Sequence, residues 1–188
     1  MTHTLLASAL FAFAGAAIAA PVSYTIDPAH TYAGYSVNHL GLSKQSGLFT
    51  KVGGTVVVDE SAKSGKVDVT IDAASLQTFL ADRDAHLKGP EFFNVEKFPT
   101  LTFQSDKVVF HGSKPAEVQG KLTLLGVTRP VTLKLVNVNK AKNPMSGKET
   151  WGANATTRIK RSEFGMKAFL PAISDEVDLG IALEAVAQ

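Results

Sequence analysis

In "KVDVTID", Lys66 to Asp72, every second side chain is apolar. Val67, Val69 and Ile71 fall on one face of an extended chain, and Lys66, Asp68, Thr70 and Asp72 on the other. The same period of two recurs at Leu101 and Phe103, at Leu122 and Leu124, at Val131, Leu133 and Leu135, and at Val177, Leu179, Ile181 and Leu183. A helix cannot keep such a set on one side, so the chain is read as mostly β, its strands wet on one face. Turn signals fall between the runs at Asp27-Pro28, Ser64-Gly65, His111-Gly112-Ser113, Asn143-Pro144 and Ser146-Gly147, while Gly53-Gly54 reads as a turn or as a bend within a strand. Eight or nine antiparallel strands result. They must pair into a sandwich or close into a barrel, and closure removes the exposed edges that invite aggregation. A barrel of about eight strands is just wide enough for one small ligand, if side chains do not fill it.

One segment breaks the pattern. From Leu76 to Lys88, apolar residues stand at Leu76, Phe79, Leu80 and Leu87, spacings of three, four and seven that predict a short helix near residues 76–88. Ser75 suits its N-cap, Gly89 the position after its last turn, and Pro90 stops it. The expectation is an all-β domain with one inserted helix.

Composition narrows the class. The 188 residues include no cysteine, are 45% hydrophobic and carry a formal charge of +2, from 19 basic and 17 acidic residues scattered along the chain. One folded domain, residues 20–188, is expected, with no disulfide framework and no basic stripe for nucleic acid. Residues 1–20, "MTHTLLASALFAFAGAAIAA", hold no charged side chain apart from His3 and read as a secretory signal peptide. Ala17-Ile18-Ala19 supplies the small-x-small pattern, so residues 1–19 are expected to be removed after Ala19 and the protein to be periplasmic or secreted. The apolar run is shorter than the ~20 residues that span a bilayer, and no cysteine follows it to take a lipid, so an integral membrane protein is not expected.

Four stretches carry a resemblance: "YTIDPAHTYAGYSVNHLGLSKQSGLF" (Tyr24 to Phe49), "RDAHLKGPEFFNVEKFPTLTFQS" (Arg83 to Ser105), "GKLTLLGVTRPVTLKL" (Gly120 to Leu135) and "RIKRSEFGM" (Arg158 to Met166). Together, in this order and over nearly the whole mature chain, they resemble the YceI family of bacterial periplasmic and secreted proteins. The resemblance implies an extended lipocalin-like antiparallel β-barrel whose apolar channel holds polyisoprenoid or other amphiphilic lipids, quinone-like molecules and fatty-acid derivatives among them. Thr31 departs from the Ser usual in the family after His30, Gln45 stands where an apolar residue is common, and Phe79-Leu80 where small or polar residues are frequent.

A carrier for a chain-like lipid needs a dry lumen, an opening and a few polar groups at its mouth. The inserted helix and the turn after it would supply a lid through Phe79, Leu80, Leu87, Phe92 and Phe93. His39, Leu48 and Phe49 would line the other side of the opening, with Phe103, Phe164 and Met166 on the walls. Trp151, ahead of Gly152-Ala153-Asn154-Ala155, begins a strand of small residues that would leave lumen space. His30, Arg83, Asp84 and His86 are candidates for latching the lid or meeting a head group. Asp84 and His86 are also metal-ligand types, but two residues apart on a helix they point about 200° from each other, so no metal site is expected. With no cysteine, no G-x-S-x-G, and Ser43, Ser46 and Ser162 in turn-like settings, no nucleophilic machinery is legible, and the protein is not expected to be an enzyme. No cofactor is expected beyond the bound isoprenoid-like lipid. The alternatives are an enzyme or redox partner acting on a bound quinone-type lipid, and a ligand-free barrel whose partner is another protein. A homodimer is left open.

Overall fold

A computed structural model describes residues 20–188, so the expected leader and the expected cleavage after Ala19 lie outside the described residues. The strands are β1 (Val22–Ile26), β2 (Tyr32–His39), β3 (Ser43–Phe49), β4 (Val52–Asp59), β5 (Ser64–Asp72), β6 (Leu76–Gln77), β7 (Thr100–His111), β8 (Lys114–Leu124), β9 (Val127–Lys142), β10 (Glu149–Lys160) and β11 (Ile173–Ala187), with one helix, α1 (Ala81–Lys88), between β6 and β7. All pairings are antiparallel, and the order β1-β4-β5-β7-β8-β9-β10-β11 closes on itself because β11 pairs β1. The result is an eight-stranded closed barrel of mostly neighbouring hairpins.

Eleven segments make only eight rungs because three rungs are each broken once. β2 continues β1, β4 continues β3, and β6 continues β5. Strand β11 runs past the first break: Ala185–Ala187 pair with β1 and residues 173–182 with β2. In the gap, Pro28 has no N–H for the ladder, and the Thr31 hydroxyl takes over. It accepts from Glu184 N at 3.1 Å and reaches back to Glu184 O at 3.4 Å. The other two breaks face each other and are stitched by Ser75, whose Oγ accepts from Lys51 N at 3.1 Å and donates to Asp72 O at 2.6 Å.

The period-two residues all turn inward. The fourteen apolar positions singled out from Val67 to Leu183 line one interior space, while Lys66 and Asp68 pair at 2.8 Å on the outer face. Gly53-Gly54 is no turn: both lie inside β4, where Gly54 takes φ +140° and a Cβ would sit 2.0 Å from Asp68 O.

The helix is shorter than the spacing predicts. Leu76 is fully buried and belongs to β6, opposite Phe49, and Phe79 is 87% exposed, so the three-four-seven spacing does not mark one helical face. Ser75 is engaged by the strands and Leu80 occupies the N-cap with no side-chain cap. Asp82 and Asp84 in the first turn and His86 and Lys88 in the last complement the helix dipole instead. Gly89 ends the helix with an extended φ of −72°, its N–H bonded to His86 O at 3.0 Å. No helix among the described residues is long and apolar enough to cross a membrane.

Because Gly54 alone lets β4 and β5 approach at the bend, Gly54→Ala is expected to lower stability by about 2–3 kcal/mol, read from the urea midpoint at unchanged slope. A midpoint within experimental error of the wild type would remove the steric account of the bend.

Candidate functional site

The barrel encloses a cavity of about 720 Å³. Its walls are the inward faces of the strands, and small residues keep it hollow: Ala33 on β2, Gly65 on β5, and Ala153 and Ala155 on β10 all lie on the lining.

One end is sealed by polar side chains over an aromatic floor. Phe110, Pro115 and Trp151 line the cavity there, and Phe110 and Trp151 pack with Tyr24, Ile26, Val58 and Ala185. The Tyr24 hydroxyl donates to Glu149 Oε1 at 2.5 Å, and Lys140 pairs with Glu60 and, at 3.5 Å, with Glu149. Burial, then the bond to Glu149, raises the Tyr24 hydroxyl above its ordinary pKa, while that bond lowers Glu149. Lys140 Nζ lies 5.5 Å from the Trp151 ring centroid. The Trp151 Nε1–H is buried on the cavity wall, where its interaction with the Tyr24 hydroxyl opposes the rise in that group's pKa without making a hydrogen bond of good geometry.

At the other end polar side chains stand on the lining itself. Helix α1 lies across it, with Arg83, His86 and Leu87 on the lining, joined by Gln45 from β3, His39 from β2 and Thr78. Thr78 is the hub and is only 3% exposed. Its N–H and Oγ1–H both donate to Asp84 Oδ1, at 2.7 and 2.5 Å. Its Oγ1 accepts from Arg83 Nε at 2.9 Å, and its carbonyl from Arg83 Nη2 at 2.6 Å. Arg83 Nη1 reaches Gln45 Oε1 at 3.4 Å, tying the helix to β3. The two donors from Thr78 hold the Asp84 carboxyl below the usual carboxylate range. Next to this network, burial pushes the Tyr35 hydroxyl up to about 12 against the pull of the Arg83 charge.

Aromatic contacts close the rest of the mouth. Phe92 stacks on Phe169 at 5.9 Å between centroids, His86 meets both edge-on, and Phe93 meets Phe49 edge-on at 5.1 Å. The loop carrying Phe169 is held by Arg161, which is 3% exposed. Its Nε donates to Ser174 O, its Nη1 to Met166 O, and its Nη2 to Ala168 O and Ile173 O. Burial pulls this guanidinium below its ordinary pKa, and Asp175 opposes the shift.

Of the residues singled out in the sequence, His39, Phe49, Leu87, Phe92, Phe93, Phe103, Trp151 and Met166 lie on the cavity wall, as do Arg83 and His86 at its mouth. Several do not. Leu48 alternates away from Phe49 and packs against Gly34, Phe79 and Leu80 are exposed outside the lining, and Phe164 is buried in the wall's packing behind it. Asp84 acts through Thr78 rather than on the cavity. Arg83 makes its contacts to Thr78 and Gln45, not to Asp82 or Asp84. His30 is elsewhere: Nδ1 pairs with Asp27 Oδ2 at 2.7 Å, and Glu184 completes a surface trio whose ligand-type atoms lie within 4.8 Å of one another, off the cavity lining. Asp84 and His86 do not converge, since His86 Nε2 instead lies 3.0 Å from Glu91 Oε2. Ser162 is bound to Asp175 and Ser43 to Gln45.

Sequence reasoning missed Thr78, Tyr35 and Arg161 as site residues. Arg161 stood inside the stretch "RIKRSEFGM", whereas a lone threonine such as Thr78 carries no signal at all.

Fold and site define a class: a closed antiparallel barrel with a ligand-sized apolar channel, sealed at one end and covered by a helix and aromatic side chains at the other. Residues 24–185 match the YceI-like domain, and the chain belongs to the YceI family. Protein YceI of Salmonella arizonae is 40% identical over 184 residues, covering 97% of this chain and 95% of that one. BcnA of Burkholderia cenocepacia superposes with a TM-score of 0.73 at 25% identity, over 85% of this chain and 98% of that one. A polyisoprenoid binding domain from Saccharophagus degradans, implicated in plant cell wall breakdown, has the same fold, with a TM-score of 0.71 at 16% identity over 89% and 99% of the two chains.

The Thr78-Asp84 bonds should make the lid pH-sensitive. Asp84 has a lowered folded pKa, so its contribution is fully present above its unfolded value, about pH 4, and is lost as pH falls through the lower folded value. Hydrogen exchange of α1, relative to β7 and β8, is expected to accelerate over that acid range in the wild type and to be fast already at neutral pH in Asp84→Ala. Equal protection of α1 in both proteins at neutral pH would show that Asp84 does not hold the lid.

Proposed function

We propose that this protein is an exported, non-enzymatic carrier or scavenger that holds one amphiphilic, isoprenoid-like lipid in the barrel channel, chain inward and head group beneath α1. The observation that carries the reading is the hollow apolar channel itself. Its lining is apolar along the strands, and its polar side chains gather at the mouth. Family membership supports it, and the polyisoprenoid binding domain of the same fold is consistent with it. The leader at residues 1–19 supports export to the periplasm or beyond.

The energetics suffice without chemistry. Burying roughly 400 Å² of isoprenoid surface at about 25 cal/mol/Å² yields on the order of 10 kcal/mol gross, from which ordering the chain removes several kcal/mol. Micromolar to nanomolar affinity remains, with slight salt dependence, since the driving term is apolar. Asp84 and His86, the groups that a reactive reading would use, are engaged with Thr78 and Glu91.

Ala153→Trp places a large ring on the channel wall. If it displaces two or three methylene-sized groups of the ligand at about 0.8 kcal/mol each, binding weakens roughly tenfold to fiftyfold. The expected result is reduced uptake of a polyprenyl probe by a protein whose circular dichroism is that of the wild type. Undiminished uptake by the folded variant would move the ligand out of the channel.

A further inference from the structure

Large apolar side chains stand exposed around the mouth. Leu40 and Leu42 lie in the β2–β3 turn, Phe79 and Leu80 precede α1, and Phe169 lies in the loop before β11. Leu42 is 82% exposed and Phe79 87%. The segments meet there: Leu40 N–H donates to Ala172 O at 2.8 Å, and Phe169 packs on Phe92 and His86 beyond α1. Single exposed apolar residues elsewhere, such as Met145 in the β9–β10 hairpin, need no explanation.

One further observation sets this rim apart. Leu40 and Phe169 are about half exposed and also line the cavity, so the apolar surface outside is continuous with the channel inside. Leu40, Phe79 and Phe169 also take positive φ, of 57°, 63° and 59°, but so do Lys63, Asn94 and Leu125 off this rim, so it is the continuity of exposed and channel surface, not backbone conformation, that singles the rim out.

We propose that this rim docks on a phospholipid bilayer, with Leu42, Phe79 and Leu80 entering the boundary between head groups and acyl chains, so that cargo moves between membrane and channel along Leu40 and Phe169. The proposal rests on the lipid-carrier reading. A bilayer fits better than a protein because the side chains protrude singly from separate turns, and a protein partner would need a matched pocket for each. Fluid lipid takes isolated apolar tips without one. A chain that crossed water instead would give up its apolar burial on the way.

The test compares the wild type with the double variant Leu42→Ser/Phe79→Ser, two substitutions off the cavity lining. Flotation with vesicles of phosphatidylethanolamine and phosphatidylglycerol measures docking, and uptake of a polyprenyl probe from dilute solution measures the channel separately. The expected result is that the wild type floats and the variant partitions at least about tenfold less, with uptake and melting temperature unchanged. Any contribution of an apolar leader is common to both proteins. A wild type that stays in the dense fraction, or a variant that floats equally, overturns the proposal. So does a wild type that does not float but sediments as a dimer that the variant loses, because the rim then covers a second copy. Failed uptake by a wild type that floats would instead count against the carrier reading and leave the docking surface standing.

Discussion

Strand β11 holds the two ends of the sheet together. Its last residues pair with β1, and Ile173 and Val177 to Ala182 pair with β2, so one strand spans a rung that the chain itself interrupts at Asp27 to Thr31. Without that double pairing the sheet would be open, with a free edge on either side of the Asp27-Pro28 break. The Thr31 hydroxyl, 3% exposed, supplies in the gap what proline cannot, accepting from Glu184 N as a backbone carbonyl would. Closure in turn fixes which side of every strand is inside, because a one-residue slip at β11 would turn Val177, Leu179, Ile181 and Leu183 outward together.

Closure alone does not make a channel. The interior stays open because Ala33 on β2, Gly65 on β5 and Ala153 and Ala155 on β10 present small side chains to it, where larger ones would fill a barrel of this size. The seal at one end and the lid at the other are built differently. The sealed end has carboxylates and Lys140 beside Trp151 and Tyr24, while the covered end depends on the Thr78 network, two arginines and a few aromatic contacts. What holds α1 is a local set of side-chain hydrogen bonds and ring contacts rather than a strand ladder, with no fully buried residue on the helix, so α1 is the element best suited to open.

Much of this was legible in the residues, and the physical reason is the period of two. Val67, Val69 and Ile71 could face the interior only as a strand, and every other run marked in the same way faces the same cavity. The small residues after Trp151 likewise foretold open space. The helix was harder. Leu76 and Phe79 sit three apart, yet tertiary pairing took Leu76 into a strand and left Phe79 in water, because Ser75 was needed to bridge Lys51 and Asp72. Pairing across the sheet thus outweighed local spacing. The mouth was only half visible: Arg83 and Asp84 stood out by charge, but the group that joins them is Thr78, and nothing in a sequence distinguishes one buried threonine from another. Leu48 shows the cost of naming neighbours without their alternation, since Phe49 beside it faces the cavity and Leu48 does not.

The central claim is that the channel carries a lipid, and native mass spectrometry of the protein purified from the exported fraction tests it most directly, followed by solvent extraction and mass identification of what is released. The account predicts a stoichiometric amphiphile with an isoprenoid-like chain, lost on extraction with a fall in melting temperature, because a bound ligand stabilises by RT ln(1 + [L]/Kd). A bare protein that also fails to take up added polyprenyl lipids, with no change in melting temperature, would contradict it.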